Sequence, residues 1–175
     1  RFHLFSGDIS DVCARLDKGL LDFGLLIAPA DLTKYEYIRL PVTDVWGILM
    51  RREDPLAAKS AITRDDLKGV PLLHSRHALS RGNVLDWFGK SADLNIVATF
   101  NLLYNAALMA KAGMGVVLSI DKIYNVTGES ELCFRPLAPR LESHLSLVWK
   151  KYQVFSGAAQ IFLKHLQEKL QTSGV

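Results

Sequence analysis

Two short segments constrain the fold of this chain more than any other feature. Each contains the end of a helix, a glycine turn and an apolar strand in that order, and they cover residues 18–27 and 111–118. This order is typical of an open sheet with helices packed on its faces. Such sheets bind ligands in the crevice beyond the carboxyl ends of their strands. Neither segment contains a catalytic motif, so the sequence predicts a binding protein.

Composition excludes several other classes of protein. The 175 residues are 49% hydrophobic and 22% charged, which is typical of a soluble globular protein with one domain or two small lobes. The net charge is only +3, and no stretch concentrates Lys and Arg, so we expect no nucleic-acid surface on this chain. No apolar run approaches the roughly 20 residues that cross a bilayer, and no secretory signal is recognisable. Cys13 and Cys133 lie far apart in sequence, so we expect reduced thiols and a cytoplasmic protein.

Strands and helices alternate along the chain in two similar blocks. The first block ends near Met50, and the second ends near Pro139. The spacing predicts a strand over residues 1–5, separate strands over 36–40 and 45–50, and a short helix over 121–124. It also predicts a last strand over 145–150, followed by a terminal helix.

Strands 45–50 and 145–150 are the two predicted crossings between the blocks. The fold class is therefore α/β, with two Rossmann-like sheets joined by two crossing strands. We expect one lobe over residues 1–49 and 146–175 and a second lobe over 50–145. A hinged cleft between two such lobes is a common site for a small ligand. The bulky Trp46 on a crossing strand would narrow that cleft.

Five segments in this order resemble the effector-binding domain of LysR-type transcriptional regulators. They are Lys-Gly-Leu-Leu-Asp-Phe-Gly-Leu at 18–25, Arg-Arg-Glu-Asp-Pro-Leu-Ala at 51–57, Ile-Thr-Arg-Asp-Asp-Leu-Lys-Gly-Val-Pro-Leu at 62–72, Lys-Ala-Gly-Met-Gly-Val-Val-Leu at 111–118, and Leu-Ser-Leu-Val-Trp-Lys at 145–150. Ser6-Gly7-Asp8 before an amphipathic helix also fits the pattern.

The resemblance implies a fold like the type 2 periplasmic binding proteins, with a small-molecule effector in the cleft between the lobes. It implies a homodimer or homotetramer and a DNA-binding winged helix-turn-helix before Arg1, which this chain does not contain. DNA is therefore expected as a partner only through that domain, and a membrane is not. The family's first strand and part of its first helix are also expected before Arg1.

Candidate effector contacts lie where strands end and helices begin, because free backbone N–H groups at helix amino ends attract anions. Arg76 is the one cation among them, and its guanidinium would pair with a carboxylate in a bidentate way. In the family these junctions contribute effector contacts. The candidates are Ser6, Gly7, Asp8, Ser75, Arg76, Thr99, Phe100 and Asn101.

Each candidate also has a purely structural interpretation. Asp8 and Asn101 are good caps for the helices that follow them, and a loop arginine such as Arg76 is usually just solvated. Phe100 fits a core position. His74 and His77 lie three residues apart, but no acidic or thiol ligand is near them in sequence, so we expect no metal.

Three functions remain open at this point. The main hypothesis is a regulatory domain that senses a small, anionic metabolite through a population shift between conformations. The first alternative is the solute-binding protein of a transporter. The second is an enzyme on the same scaffold, but the sequence has no nucleophile elbow, phosphate loop or paired metal motif, so we expect neither catalysis nor a cofactor.

Overall fold

The structure is a computed structural model that describes residues 1–28, 30–76, 78–79, 83–89 and 94–172. Its α-helices and β-strands, in chain order, are α1 (Ile9–Asp17), β1 (Gly24–Ile27), β2 (Tyr35–Arg51), β3 (Pro71–Ser75), α2 (Asn83–Phe88), β4 (Asn95–Phe100), α3 (Leu103–Lys111), β5 (Val116–Ile120), β6 (Leu132–Pro136), β7 (Glu142–Lys150) and α4 (Gly157–Thr172). Two short 3₁₀ turns, Pro55–Ala58 and Asp65–Leu67, lie between β2 and β3. None of the described helices has the length and apolar character needed to span a membrane.

The chain divides into two compact units, and the mixed α/β class predicted from the sequence is confirmed. Unit 1 contains Arg1–Thr43 and His144–Val175, and unit 2 contains Asp44–Ser143. Strands β2 and β7 each contribute residues to both units. The sequence pattern predicts the two changes of lobe at 49/50 and 145/146.

In unit 1, helix α1 packs on a small sheet. Strand β1 pairs with β7 in antiparallel register, with Gly24 opposite Val148. The buried core between helix and sheet consists of Val12, Leu16, Leu26, Tyr35 and Val148. The apolar spacing of α1 therefore serves to cover β1 and β7, as its periodicity predicts.

The predicted strand over residues 1–5 is wrong. No regular secondary structure precedes α1, and the side chains of Phe2 and Leu4 are 81% and 89% exposed. The apolar side chains of this segment have no sheet face to cover among the described residues. An apolar pattern alone does not form a strand without a hydrogen-bonded neighbour.

Unit 2 contains a five-stranded sheet in the order β6-β2-β5-β3-β4. Strand β3 is parallel to both β4 and β5, whereas β2 is antiparallel to both β5 and β6. Residues 45–50 of β2 and all of β5 are buried. On one face, Leu49, Leu73 and Val117 pack against alanines of α3. The continuous apolar runs are thus explained by cover on both faces of the sheet.

Strand β2 differs from the sequence prediction, which placed two strands at 36–40 and 45–50. The structure has one strand of 17 residues. Pro41 lies in its middle and is exposed. Proline removes one N–H donor but its φ is compatible with extended backbone, so it does not have to end a strand.

The start of β5 approaches β3 so closely that only glycine fits there. Gly115 has φ of 152°, and a Cβ at this position would lie 2.3 Å from the Pro71 carbonyl oxygen. Gly113, two residues earlier, also has a positive φ, of 81°. The glycine turn seen in the sequence therefore lets the chain leave α3 and enter β5 beside β3.

We expect Gly115→Ala to lower the free energy of unfolding by about 3 kcal/mol, because the added methyl group displaces the β3 backbone. Gly157→Ala is the control, since nothing lies within 4 Å of its added Cβ. The control should be neutral or stabilising by about 0.5 kcal/mol. Urea denaturation followed by circular dichroism measures both, and equal stabilities for the two variants would contradict the close approach.

Candidate functional site

The parallel pairing of β3 and β4 brings five of the predicted site residues to one edge of the unit 2 sheet. Ser75 lies opposite Phe100, and His74 lies opposite Thr99. Beyond the strand ends, the Arg76 backbone N–H donates to the Phe100 carbonyl oxygen at 3.2 Å. Ser75, Arg76, Thr99, Phe100 and Asn101 therefore form one local cluster, which we call the β3–β4 edge.

The amino end of α3 adjoins the β3–β4 edge. Its N-cap is Leu102, whose extended backbone has φ of −119° and ψ of 127° and whose side chain makes no capping hydrogen bond. The prediction that Asn101 caps this helix is therefore wrong. The first-turn N–H groups lack a side-chain acceptor at the N-cap, and they carry the positive end of the helix dipole.

The five residues differ in what their side chains contact. Arg76, Thr99 and Asn101 are exposed, and Ser75 is half-buried. The side chain of Phe100 packs against the apolar cluster beneath α3, so its ring belongs to the core and its backbone carbonyl belongs to the edge. Arg76 remains the one cation among these residues.

The histidine next to this edge is structural. His74 is buried, and its Nδ1 lies 2.7 Å from the Ser75 carbonyl oxygen. His77, the second member of the pair in the sequence, lies outside the described residues. Within the described ranges, no group of three His, Cys, Asp or Glu side chains is placed to hold a metal ion.

The remaining predicted residues, Ser6, Gly7 and Asp8, lie at the amino end of α1 in unit 1. Asp8 caps this helix, as predicted: its Oδ1 accepts from the Asp11 N–H at 3.0 Å and from the Ser10 hydroxyl at 2.6 Å. Asp8 is buried and Ser6 is exposed. Because a carboxylate already occupies this helix end, the α1 amino end attracts an anion less strongly than the α3 amino end does.

Sequence reasoning missed Asp121 and Lys122, which follow the buried strand β5. The sequence placed a short helix at 121–124, but the structure has a turn there, with φ of 65° at Lys122. The Asp121 backbone N–H donates to the Val45 carbonyl oxygen, and the Asp121 Oδ1 accepts from the Val45 backbone N–H. The rule that selected the ends of β3 and β4 also applies to β5, so the sequence did contain a signal for these two residues.

The two cysteines do not form a redox pair. Cys13 belongs to unit 1 and Cys133 to unit 2, and both are free thiols. Burial raises the pKa of both thiol groups. The thiols are therefore protonated at neutral pH, which is the unreactive form.

Comparison with known proteins assigns the family. The sequence profile of the family described as LysR substrate binding domain matches residues 1–171 of the 175. The chain belongs to this family. It is 26% identical over 167 residues to the HTH-type transcriptional regulator YvbU of Bacillus subtilis, and this match covers 94% of the chain and 56% of YvbU. The chain thus spans little more than half the length of that relative.

Solved LysR-type structures share the fold of this chain. The regulatory domain of CcmR from Synechocystis PCC6803, in complex with 2-PG, has a TM-score of 0.77 at 17% identity, covering 93% of this chain and 80% of that one. The oxidised form of OxyR has a TM-score of 0.74 at 20% identity, covering 98% and 81%. At these identities the likeness concerns the fold alone. The predicted resemblance and the periplasmic-binding-protein-like fold are confirmed.

The two predicted helix caps can be separated by mutation. We expect Asp8→Ala to lower the free energy of unfolding by about 1 kcal/mol, because α1 loses its capping acceptor. Asn101→Ala should change it by less than about 0.5 kcal/mol, because Leu102 is the N-cap of α3. Chemical denaturation measures both values. A larger loss for Asn101→Ala than for Asp8→Ala would contradict the assignment of the caps.

Proposed function

We propose that this chain is the part of a LysR-type transcriptional regulator that binds a small anionic effector, with the β3–β4 edge as the anion-binding surface. The family consists of transcriptional regulators, which bind small-molecule effectors and act as oligomers. One observation supports the choice of this edge most strongly. Arg76, whose backbone N–H donates to the Phe100 carbonyl oxygen, and the amino end of α3, which has no side-chain cap, lie at the same edge of one sheet.

The chemistry of this edge favours a carboxylate or phosphate group. A guanidinium offers two parallel N–H donors to such a group. The first-turn amides of α3 offer further donors and a positive dipole end. Thr99 and Asn101 are exposed side chains that add a hydroxyl and an amide for the rest of the effector.

Ser6 and Gly7 are proposed as contacts from unit 1, as the resemblance implies, and Asp8 as the residue that fixes their position. The Asp8 carboxylate would repel an anion, and its capping bonds explain its presence. We therefore expect the hydroxyl of Ser6 and the backbone of Gly7, rather than the Asp8 side chain, to contact the effector.

The proposed mechanism is a population shift. An effector that binds one conformation more tightly than another favours it by the difference in binding free energy. In the complete regulator, which we expect to be a homodimer or homotetramer in the cytoplasm, this shift would change how a separate domain holds DNA. We expect the effector to be released chemically unchanged.

A thermal-shift screen tests the proposal. The probes are small carboxylates, amino acids, sugar acids, aromatic acids and 2-PG, the compound in the CcmR structure. An anion present at 100 times its Kd should raise the Tm by about 5–10 °C, since it binds only the folded state. Arg76→Ala should remove most of this shift, and Asn101→Ala should reduce it.

Arg39→Ala is the matched control, because it removes one exposed arginine on β2 in unit 1. It should leave the shift unchanged. The proposal fails if none of these anions raises the Tm. It also fails if Arg76→Ala binds every anion as well as the Arg39→Ala control does.

A further inference from the structure

A cavity of about 570 Å³ lies in unit 2 at the carboxyl end of β5. None of the eight predicted effector contacts lines it. Its walls are the segment 119–127 and two residues of the neighbouring strands, Leu49 of β2 and Phe134 of β6. This volume falls in the range of small-molecule sites in proteins. We call it the β5 cavity.

The floor of the β5 cavity is one face of the sheet. Leu49 is the register partner of Phe134, and Gly47 is the partner of Ser119, so all four residues share this face. The ring of Phe134 lies directly on the Gly47 backbone. A Cβ at Gly47 would lie 2.2 Å from Cζ of Phe134. Glycine at this position therefore makes room for a flat aromatic floor.

The segment that covers this floor is held at both ends. At one end Asp121 exchanges hydrogen bonds of 2.8 and 2.9 Å with Val45. At the other end the Arg52 guanidinium donates to the carbonyl oxygens of Val126 at 2.8 Å and Ser130 at 2.6 Å. Tyr124 and Val126 pack against the core between these anchors. The cavity is thus a fixed feature of unit 2, with an apolar wall opposite an apolar floor.

Two side chains of the β5 cavity, Ser119 and Asp121, can accept a hydrogen bond from an ammonium. Ser119 is only 6% exposed, and its hydroxyl donates to the Ile120 carbonyl oxygen at 3.1 Å. Its oxygen can therefore only accept a further hydrogen bond. Asp121 follows two residues after Ser119, and its Oδ2 lies 3.4 Å from the Lys122 ammonium.

Asp121 and Lys122 line the cavity, and Asp44 joins them in an ion-pair cluster that has two carboxylates and one ammonium. Lys122 lies 3.8 Å from Asp44 as well as 3.4 Å from Asp121, so one ammonium serves two carboxylates. Burial, and then the charge of Asp121, raise the pKa of the Asp44 carboxyl group, while Lys122 lowers it. The Lys122 side chain is 67% exposed, so another cation can compete with it at low cost.

We propose that the β5 cavity is a second binding site, for a small primary amine with an aromatic or branched apolar body. The apolar body rests on Leu49 and Phe134. The ammonium donates to the Asp121 carboxylate and to Oγ of Ser119. This site takes a cation, and it is independent of the anion proposed for the β3–β4 edge.

Isothermal titration calorimetry with benzylamine tests this site on the whole chain. We expect a Kd on the order of 0.1–1 mM, the range for so small a ligand. Benzyl alcohol, which has nearly the same shape without the charge, should bind at least 10-fold more weakly. Asp121→Asn should also weaken benzylamine binding at least 10-fold. The asparagine amide oxygen can still accept from the Val45 backbone N–H, so the turn keeps its hydrogen bond.

Two further variants separate a lost site from a damaged fold. Asp86→Asn removes the same charge from an exposed position on α2 and should leave the Kd within twofold. Lys122→Asn removes the competing ammonium, and asparagine tolerates the left-handed backbone conformation of this position. This variant should bind benzylamine about threefold more tightly, or better.

The proposal is overturned if the folded protein shows no benzylamine binding at 10 mM. It is equally overturned if benzyl alcohol binds as tightly as benzylamine, or if Lys122→Asn weakens binding. None of these results bears on the anionic effector, because no residue of the β3–β4 edge takes part.

Discussion

The parallel pairing of β3 with β4 and with β5 is the constraint on which the rest of unit 2 depends. Parallel neighbours cannot be joined by a tight turn, so the chain must cross over between them. Helices α2 and α3 lie on these crossovers, and α3 covers Leu73 and Val117 on one face of the sheet. The same pairing places the carboxyl ends of three strands at one edge. Both proposed sites follow from that geometry.

The elements set by local patterns could be predicted from the sequence. The apolar runs of β1 and β5, the glycine turns before them and the Asp8 cap of α1 all appear where the residues indicate them. Each depends on neighbours within a few positions, where side-chain size and backbone preference decide the outcome.

The elements that depend on distant partners could not be predicted in the same way. The apolar residues Phe2, Leu4 and Phe5 have no strand beside them, and β2 continues through Pro41 because extended backbone accommodates proline. The turn after β5 is fixed by Asp121 bonding to Val45, 76 residues away. A pattern read along the chain contains no information on such pairs.

The candidate site shows the same division. The rule of strand ends selected residues that the β3–β4 register does bring together, and the core interpretation of Phe100 agrees with its contacts. The sequence did not indicate that Leu102, not Asn101, is the cap. Which of the eight residues contact an effector stays a prediction. Membership of the family supports the assignment as a regulatory domain, and the chemistry of the β3–β4 edge supports an anionic effector.

The anionic group of the effector is proposed to bind at the β3–β4 edge. The most direct test is a titration of ¹⁵N-labelled protein with the anion that stabilises it most, followed by backbone amide NMR. We expect the largest shifts at the amides of Arg76, Leu103 and Tyr104, where the guanidinium and the α3 amino end would contact the ligand. Shifts confined to the α1 amino end, with none at the β3–β4 edge, would contradict it.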